Sequence, residues 1–322
     1  MPNWKEIWLS VVLGLVMPAV VLSLAVRFGA PAQPAEELKI TEQPAQIQTM
    51  EPVMIQVLTD ENVPVDMELE EYLVGVVLAE MPVSFEPEAQ KAQAVVARTF
   101  TLRCAQGGKH TEAAVCMDSG CCQAYMAPEA YLAKGGTQEG IDRMRSAVEQ
   151  TAGQVLTYEG TLIEATYFSC SGGATEDAVA VWGTDVPYLR SVSSPGEEDA
   201  AHFTDTVTFS AEEFAGALGL KLTGKPEKWL GKTTYTAGGG VDTMVIGGET
   251  FQGTTLRKAL SLRSTAFTMT AGEDSVTVTT RGYGHRVGMS QYGADAMAVA
   301  GSTYREILAH YYQGTELVDW EN

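Results

Sequence analysis

An uncharged apolar segment near the start of the chain sets the strongest constraint on how this sequence can fold. Residues 7–26 contain no Asp, Glu, Lys or Arg, and most of them are Val, Leu, Ile, Ala or Met. A helix of this length extends about 30 Å, which matches the hydrocarbon core of a bilayer. We therefore predict a single N-terminal transmembrane helix within residues 1–28. A cleaved signal peptide is the alternative, although its apolar run is usually only about 7–15 residues.

The segment that follows has the composition of a tether. Residues 29–52 carry several prolines with Gln, Glu and Ala between them, a composition that stays extended and does not commit to packing. Lys5 lies before the apolar segment and Arg27 after it, a slight bias toward a cytoplasmic N-terminus. We expect a single-pass protein of the cell membrane whose body, residues 53–322, lies outside the cytoplasm.

The net charge argues against a nucleic-acid partner, and the overall composition indicates a folded body. The chain of 322 residues has 21 Lys and Arg against 41 Asp and Glu, a net charge of −20. Nucleic-acid binding needs clustered Lys and Arg to neutralise phosphates, so we exclude it. The hydrophobic share of 45% is that of a globular protein. Helical and strand patterns are mixed without a βαβ rhythm, which predicts an α+β fold. We also consider a β-rich subdomain near residues 200–280, although no linker marks its edges.

Local patterns predict individual elements of the body. Residues 54–58 predict a first strand, and residues 68–79 have apolar side chains at the spacing of an amphipathic helix. Residues 154–157 and 162–168 have the alternation of two strands and flank a Glu-Gly turn, so they predict a hairpin.

Glu80 is a candidate proton donor at the end of the first predicted helix. It lies in the last turn, because the residue before Pro82 is pushed out of the helical region. A carboxylate there meets the negative end of the helix dipole, and its neighbours Leu78, Met81 and Val83 are apolar. Both effects raise the pKa of a carboxyl group and favour a general acid. Taken alone, the pattern favours an exposed glutamate at a helix end over a proton donor.

A second cluster of reactive side chains falls within thirteen residues. His110, Cys116, Cys121 and Cys122 supply imidazole and thiolate groups, which zinc prefers in closed structural sites. Their spacing is not that of a standard zinc finger. A disulfide such as Cys116–Cys122 is the ordinary alternative outside the cytoplasm, and free thiols are a third. The chain has five cysteines, so at least one stays outside any intrachain disulfide.

Several motifs occur in the order found in one known family. They are Glu70-Glu71-Tyr72-Leu73, Ala79-Glu80-Met81-Pro82, Ala97-Arg98-Thr99, Tyr167-Phe168-Ser169-Cys170-Ser171-Gly172-Gly173, Val181-Trp182-Gly183, Pro187-Tyr188-Leu189-Arg190 and Gly282-Tyr283-Gly284-His285-Arg286-Val287-Gly288-Met289-Ser290-Gln291. By these motifs, roughly residues 53–314 resemble the stage II sporulation protein D family. The blocks are long enough to be specific, and membrane anchoring is typical of that family.

The resemblance implies a lytic transglycosylase that acts on peptidoglycan during spore engulfment. Such an enzyme cuts glycan strands between N-acetylmuramic acid and N-acetylglucosamine, and it works beside an amidase that removes the stem peptides and with other engulfment membrane proteins. Glu80 matches the family's catalytic acid. One carboxyl group suffices if the C6 hydroxyl of the sugar attacks and leaves a 1,6-anhydro end, whereas ordinary glycosidases need two.

The resemblance also suggests residues that bind substrate or metal. Arg98, Tyr188 and Arg190 match positions associated with the family's substrate groove. The expected binding set is completed by residues of the loop and of the glycine-dense block: Ser169, Ser171, His285 and Gln291. Some family members carry a metal in the insertion that holds His110, so the resemblance favours a structural zinc. Four protein ligands would leave no position for water, and catalysis would need no cofactor.

Two other functions remain open from the sequence. The first is a non-catalytic glycan-binding scaffold that recruits or activates an amidase through the same cleft. The second is a zinc hydrolase built on His110 and the cysteines, although the chain has no His-Glu-x-x-His motif and a catalytic zinc keeps an open position. No Gly-x-Ser-x-Gly elbow surrounds Ser169 or Ser171, which argues against a serine hydrolase.

Overall fold

The structure is a computed structural model that describes residues 52–201 and 203–320. The predicted transmembrane helix and almost all of the tether lie outside the described residues. None of the helices found within them is long and apolar enough to span a bilayer. The chain separates into two units, Met1–Met50 and Glu51–Asn322, and the elements below all belong to the second.

The second unit mixes helices with short strands, as the α+β prediction expects. The helices are α1 (Leu69–Glu80), α2 (Pro87–Gly107), α3 (Pro128–Ala133), α4 (Gln138–Glu149), α5 (Ala178–Trp182), α6 (Ala211–Leu218), α7 (Gly253–Ala259), α8 (Gln291–Val299) and α9 (Tyr304–Tyr311). The strands are β1 (Met54–Leu58), β2 (Pro64–Glu68), β3 (Val115–Cys116), β4 (Gln154–Tyr158), β5 (Thr161–Leu162), β6 (Tyr167–Phe168), β7 (Gly173–Ala174), β8 (Ser193–Ser194), β9 (Thr204–Ser210), β10 (Leu230–Tyr235), β11 (Val241–Ile246), β12 (Glu249–Gln252), β13 (Phe267–Ala271), β14 (Ser275–Arg281), β15 (Met289–Ser290) and β16 (Glu316–Asp319). A single 3₁₀ turn in the described part covers Pro226–Lys228.

Helix α2 is the centre of the larger hydrophobic core. It packs against α1, α4, α8, α9 and strand β4. Its first residue is Pro87, whose fixed φ suits a helix start. Gly108, directly after its last residue, adopts φ 61° and caps the helix in a left-handed conformation. Ala92, Ala94 and Ala97 are fully buried along it, and such small side chains let neighbouring helices approach closely. This core holds α1, and therefore Glu80, in a fixed position.

A second, smaller hydrophobic cluster occupies the region considered as a β-rich subdomain. The three-stranded sheets β10-β11-β12 and β13-β14-β9 contribute to it together with α6 and α7. Phe214, Leu256 and Val276 are completely buried in its centre. Helix α6 opens with the capping box that Ser210 and Glu213 form, each side chain bonding the backbone of the other residue. The cluster lies within the same compact unit as the larger core.

A buried ion pair holds the turn between β10 and β11. Nη1 of Arg286 lies 3.0 Å from Oε1 of Glu176, and both side chains are almost completely buried. Glu176 accepts a hydrogen bond from the backbone of Gly240, and Nη2 of Arg286 donates to the carbonyl oxygen of Gly238. Both glycines lie in the turn between β10 and β11. Arg286 also adopts φ 67°, a left-handed backbone conformation that is rare for residues other than glycine.

The structure confirms some local predictions and corrects one. The first strand is Met54–Leu58 as expected, and the first helix covers Leu69–Glu80. The predicted hairpin turn is present, with positive φ at Glu159 and at the glycine after it. The second strand of that hairpin, predicted over residues 162–168, is wrong as one element. It divides into β5 and β6 because β6 pairs in parallel with β15, 122 residues later, instead of extending the hairpin.

Candidate active site

Glu80 is the last residue of α1 and borders a cleft of about 530 Å³. The next residue, Met81, precedes Pro82 and has extended backbone, as expected before a proline. The helix therefore ends at Glu80. The cleft is lined by residues from widely separated parts of the chain: Glu80, Phe100, Lys109, Ser119, Gly120, Cys121, Cys122, Glu164, Ala165, Thr166, Tyr167, Phe168, Ser169, Trp182, Tyr283, Gly284, His285 and Gln291. A cleft of this volume falls in the range of small-molecule sites.

Three groups hold the Glu80 carboxyl in place. The backbone N–H of Ala124 donates to Oε1 at 2.8 Å, and the side-chain amide of Gln291 donates to Oε2 at 3.3 Å. The hydroxyl of Tyr167 also hydrogen-bonds Glu80, and it lies 3.3 Å from Oε1 of Gln123. Burial raises the pKa of Glu80 and the three donors lower it, with burial the larger effect. The carboxyl therefore keeps its proton to a higher pH than an exposed glutamate does.

A two-residue parallel ladder brings Gln291 and Tyr167 to Glu80. Strand β15 pairs with β6 through Met289 with Tyr167 and Ser290 with Phe168. Ser290 then caps α8 by accepting a hydrogen bond from the backbone of Gly293, so Gln291 starts that helix beside the cleft. The ladder is short, but it fixes two of the three groups that contact Glu80.

Three of the expected substrate-binding residues line the cleft with Glu80. They are Ser169, His285 and Gln291. The His285 ring is partly buried, and desolvation together with the positive charge of Arg257 lowers its pKa to about 4. Its Nδ1 accepts a hydrogen bond from the backbone of Val287. At neutral pH His285 is therefore an uncharged imidazole and a wall of the cleft rather than a proton donor.

Arg98 and Ser171 do not reach the cleft, which corrects their expected role in binding substrate. Arg98 is fully buried and donates from Nε and Nη2 to the Glu70 carboxylate at 2.8 and 2.6 Å. Ser171 is also fully buried, and its hydroxyl donates to Glu197 at 2.8 Å. Both residues hold the interior together, and the sequence pattern does not reveal their acidic partners.

Tyr188 and Arg190 lie outside the cleft lining as well. The Tyr188 hydroxyl accepts a hydrogen bond from the backbone of Glu164, a cleft residue, so Tyr188 supports the wall from behind. Nη1 of Arg190 lies 2.6 Å from Asp185 in a partly exposed ion pair. Neither side chain contacts Glu80 in the arrangement that the structure describes.

The four expected metal ligands come together. The ligand atoms of His110, Cys116, Cys121 and Cys122 all lie within 4.8 Å of one another. Nε2 of His110 lies 3.3 Å from the Cys122 sulfur and 3.7 Å from the Cys121 sulfur, and the two sulfurs are 4.0 Å apart. Tetrahedral zinc with bonds of about 2.0–2.3 Å separates its ligand atoms by about 3.5–3.8 Å. These residues fit zinc, and all five cysteines are free thiols in the structure.

The metal-ligand cluster and the cleft share a loop. Cys121 and Cys122 line the cleft, and Ala124, two residues further along, supplies the N–H that binds Glu80. Four protein ligands would close a zinc coordination sphere and leave no position for a reacting water. Such a metal would brace the loop that positions Glu80.

Sequence reasoning missed three cleft residues that the structure brings forward. Tyr167 contacts Glu80, while Trp182 and Tyr283 stand at the rim and are each 42% exposed. The motifs contain all three, but nothing in the sequence distinguishes an aromatic side chain that faces a cleft from one in the core.

Comparisons with known proteins identify the family of this chain. The profile of the family described as Stage II sporulation protein (SpoIID) matches residues 59–158, a range that contains Glu80 and the metal-ligand cluster. The stage II sporulation protein D of Bacillus subtilis (strain 168) is 43% identical over 263 residues, 80% of this chain and 75% of that protein. The chain belongs to the stage II sporulation protein D family. Membership in this family places it among sporulation proteins.

Two further relatives show the breadth of the likeness. The stage II sporulation protein D of Bacillus amyloliquefaciens is 41% identical over 263 residues, with the same coverage of both chains. A Bacillus subtilis (strain 168) protein named Amidase enhancer is 30% identical over 306 residues, which cover 77% of this chain and 40% of that protein. This chain thus shares sequence with a protein whose name is Amidase enhancer as well as with stage II sporulation proteins D.

Proposed function

We propose that this chain is a peptidoglycan lytic transglycosylase in which Glu80 is the single general acid and base. It cleaves glycan strands between N-acetylmuramic acid and N-acetylglucosamine and leaves 1,6-anhydro ends. The observation that carries the proposal is the Glu80 carboxyl, with its raised pKa, on the wall of a cleft that can hold a small ligand. Membership in a sporulation family supports engulfment of the developing spore as the setting.

The proposed reaction uses one carboxyl group twice. Glu80 acts in its protonated form, which burial favours by raising its pKa, and donates its proton to the glycosidic oxygen as the bond breaks. The C6 hydroxyl of the N-acetylmuramic acid then attacks C1 of the same sugar, and its proton returns to the carboxylate. The N–H of Ala124 and the amide of Gln291 donate to separate oxygens of Glu80, so they stabilise the carboxylate between the two steps and keep it oriented.

Replacing Glu80→Gln tests the proposal, since glutamine keeps the size of the side chain but has no proton to exchange. The substrate is peptide-free glycan, and the products are identified by mass spectrometry. We expect anhydro ends from the unsubstituted chain and a loss of about 10²–10⁴-fold in rate for Glu80→Gln. The matched control is Glu61→Gln at an exposed turn position, which should retain full activity.

Two results would contradict the proposal. Undiminished anhydro product from Glu80→Gln would remove Glu80 from the chemistry. Reducing ends in place of anhydro ends would indicate hydrolysis, which requires a second carboxyl group. Glu164 also lines the described part of the cleft and would then be the first candidate for that group.

A second candidate function is a glycan-binding scaffold that recruits or activates a partner amidase. The 30% identity to the protein named Amidase enhancer favours it. The two functions separate when peptide release by an N-acetylmuramoyl-L-alanine amidase is measured with and without this chain. If the chain is a scaffold, the Glu80→Gln variant stimulates peptide release as much as the unsubstituted chain does. If the chain only cuts glycan, the variant loses this effect.

The remaining parts of the proposal concern metal, location and partners. Structural zinc on His110, Cys116, Cys121 and Cys122 is supported by the fit of their ligand atoms. The proposed location is the outer face of the cell membrane, with residues 7–26 as a single-pass anchor, on the basis of the apolar sequence. The proposed partners are peptidoglycan strands, an amidase and other membrane proteins of engulfment.

A further inference from the structure

The cleft that contains Glu80 extends to a rim of exposed aromatic side chains. Trp182 and Tyr283 both line it, and each keeps 42% of its surface exposed. Large apolar side chains are usually withdrawn from water, and a group of them at the edge of a cleft marks a place where a ligand covers them. Neither ring has a role in the reaction proposed for Glu80.

The backbone around Trp182 holds its side chain out toward the cleft. Trp182 is the last residue of α5, which stops there because Gly183 turns away with φ 76°. At the other end of this short helix Ala178 is buried, and its N–H donates to the carbonyl oxygen of Leu189 at 3.0 Å. The helix is thus anchored at its start, and its exposed end presents the indole.

The indole belongs to a row of packed rings that leads into the cleft. The Trp182 and His285 ring centroids are 5.4 Å apart, and those of His285 and Phe168 are 5.6 Å apart. The guanidinium of Arg263 lies over the ring of the second rim residue, Tyr283, at 5.3 Å and orients it. The rim is therefore built on packed side chains, and its rings have fixed positions before any ligand arrives.

The ring that packs on Trp182 is uncharged, and an uncharged aromatic surface favours a sugar ligand. Because the pKa of His285 is lowered to about 4, the imidazole beside Trp182 is neutral at physiological pH. An uncharged aromatic surface suits the face of a pyranose ring, whose C–H groups carry slight positive charge and meet the negative face of an aromatic ring.

We propose that Trp182 and Tyr283 form a sugar-binding subsite at the rim of the cleft, in which the indole of Trp182 stacks on a pyranose ring of the glycan strand. The inference rests on the proposed function for the identity of the strand. Its role is to hold a sugar unit beyond the bond that Glu80 cleaves, so that the reacting unit is placed beside the acid.

The test measures binding without turnover. The probe is a peptide-free glycan tetrasaccharide of alternating N-acetylglucosamine and N-acetylmuramic acid, and affinity is measured by calorimetry on the full chain carrying Glu80→Gln. In that background we expect Trp182→Ala to weaken binding about tenfold or more and Trp182→Phe to retain most of the affinity. Tyr235→Ala is the matched control, since Tyr235 is 57% exposed on β10 and is not a lining residue of this cleft.

A fluorescence measurement separates contact from a merely structural role. In the Glu80→Gln chain the tetrasaccharide should change the tryptophan emission, and when Trp182→Phe is added that change should be lost although binding persists. Affinity of Trp182→Ala within twofold of its parent would overturn the subsite, as would an emission change that survives in Trp182→Phe.

The outcome is independent of the chemistry at Glu80. If Glu80→Gln proves fully active but Trp182→Ala still loses binding, the proposed role of Glu80 fails and the subsite stands. If Glu80→Gln is inactive and Trp182→Ala binds normally, the subsite fails alone. A tetrasaccharide that does not bind the parent protein at all overturns the glycan as ligand.

Discussion

The backbone N–H of Ala124 donates a 2.8 Å hydrogen bond to Oε1 of Glu80, across 44 positions of the chain. Ala124 follows directly on the loop that carries Cys121 and Cys122. The orientation of the candidate acid therefore depends on the order of the metal-ligand cluster, although no ligand of that cluster needs to touch substrate. This coupling makes the cluster testable through Glu80.

Removal of the metal should destabilise the fold and reduce activity together. We expect the purified chain to contain about one zinc per molecule by elemental analysis, and Cys122→Ser to lose it with a fall in Tm of at least about 5 °C. Cys104→Ser is the control, because Cys104 lies outside the four-residue cluster. Equal zinc content in Cys122→Ser and the unsubstituted chain would exclude this ligand set.

Loss of the Tyr167 hydroxyl should shift the pH dependence of the reaction. That hydroxyl lowers the pKa of Glu80, so Tyr167→Phe raises this pKa further. An acid with a higher pKa stays protonated to higher pH. The alkaline limb of the plot of kcat against pH should therefore move to higher pH by up to about one unit. Tyr158→Phe, whose ring packs on Tyr188, should leave the limb in place. Movement of the limb to lower pH would contradict the contact.

Arg98 should act on stability. Arg98→Met removes the ion-pair partner of Glu70 and one donor each from the carbonyl oxygens of Gln154 and Val148. Breaking a buried ion pair costs about 3–5 kcal/mol, and we expect the lower end because Glu70 keeps 29% of its side chain exposed. The comparison is Arg190→Met, which disrupts a partly exposed pair and should cost less than about 1 kcal/mol. Urea unfolding measures both, and equal losses would contradict this reasoning.

Gly288 should be essential to the short ladder between β6 and β15. It adopts φ 83°, and a Cβ there would lie 2.0 Å from the carbonyl oxygen of Thr166. Gly288→Ala should cost at least about 2 kcal/mol in unfolding free energy and reduce activity, because it displaces Met289 and the residues that follow. Gly272→Ala, where the nearest atom would be 3.3 Å away, is the control. A Gly288→Ala protein as stable as that control would show that the ladder can shift.

The local parts of this fold could be predicted from sequence, because their signals lie within a few residues. The end of α1 at Glu80 follows from Pro82, and the capping box of α6 follows from Ser210 and Glu213. The raised pKa of Glu80 was also expected from its apolar neighbours, and burial is its leading cause in the structure.

The tertiary part of the site could not be predicted in this way. Gln291 lies 211 positions from Glu80, and the N–H of Ala124 is a backbone group that no side-chain pattern marks. The sequence marks Arg98 within a motif, but only the packing shows that the Glu70 carboxylate binds its guanidinium. The motifs identify residues that matter without stating which of them face the cleft.

The distance in sequence between Glu80 and Gln291 has a consequence for biosynthesis. A nascent chain displays Glu80 for 211 residues of elongation before the amide that binds it has been made, roughly 10–40 s at ordinary translation speeds. Until then β15 does not exist, and β6 has no partner for its parallel ladder. The candidate acid therefore has no assembled cleft during most of translation, and the centre matures only after the ribosome has passed its last component.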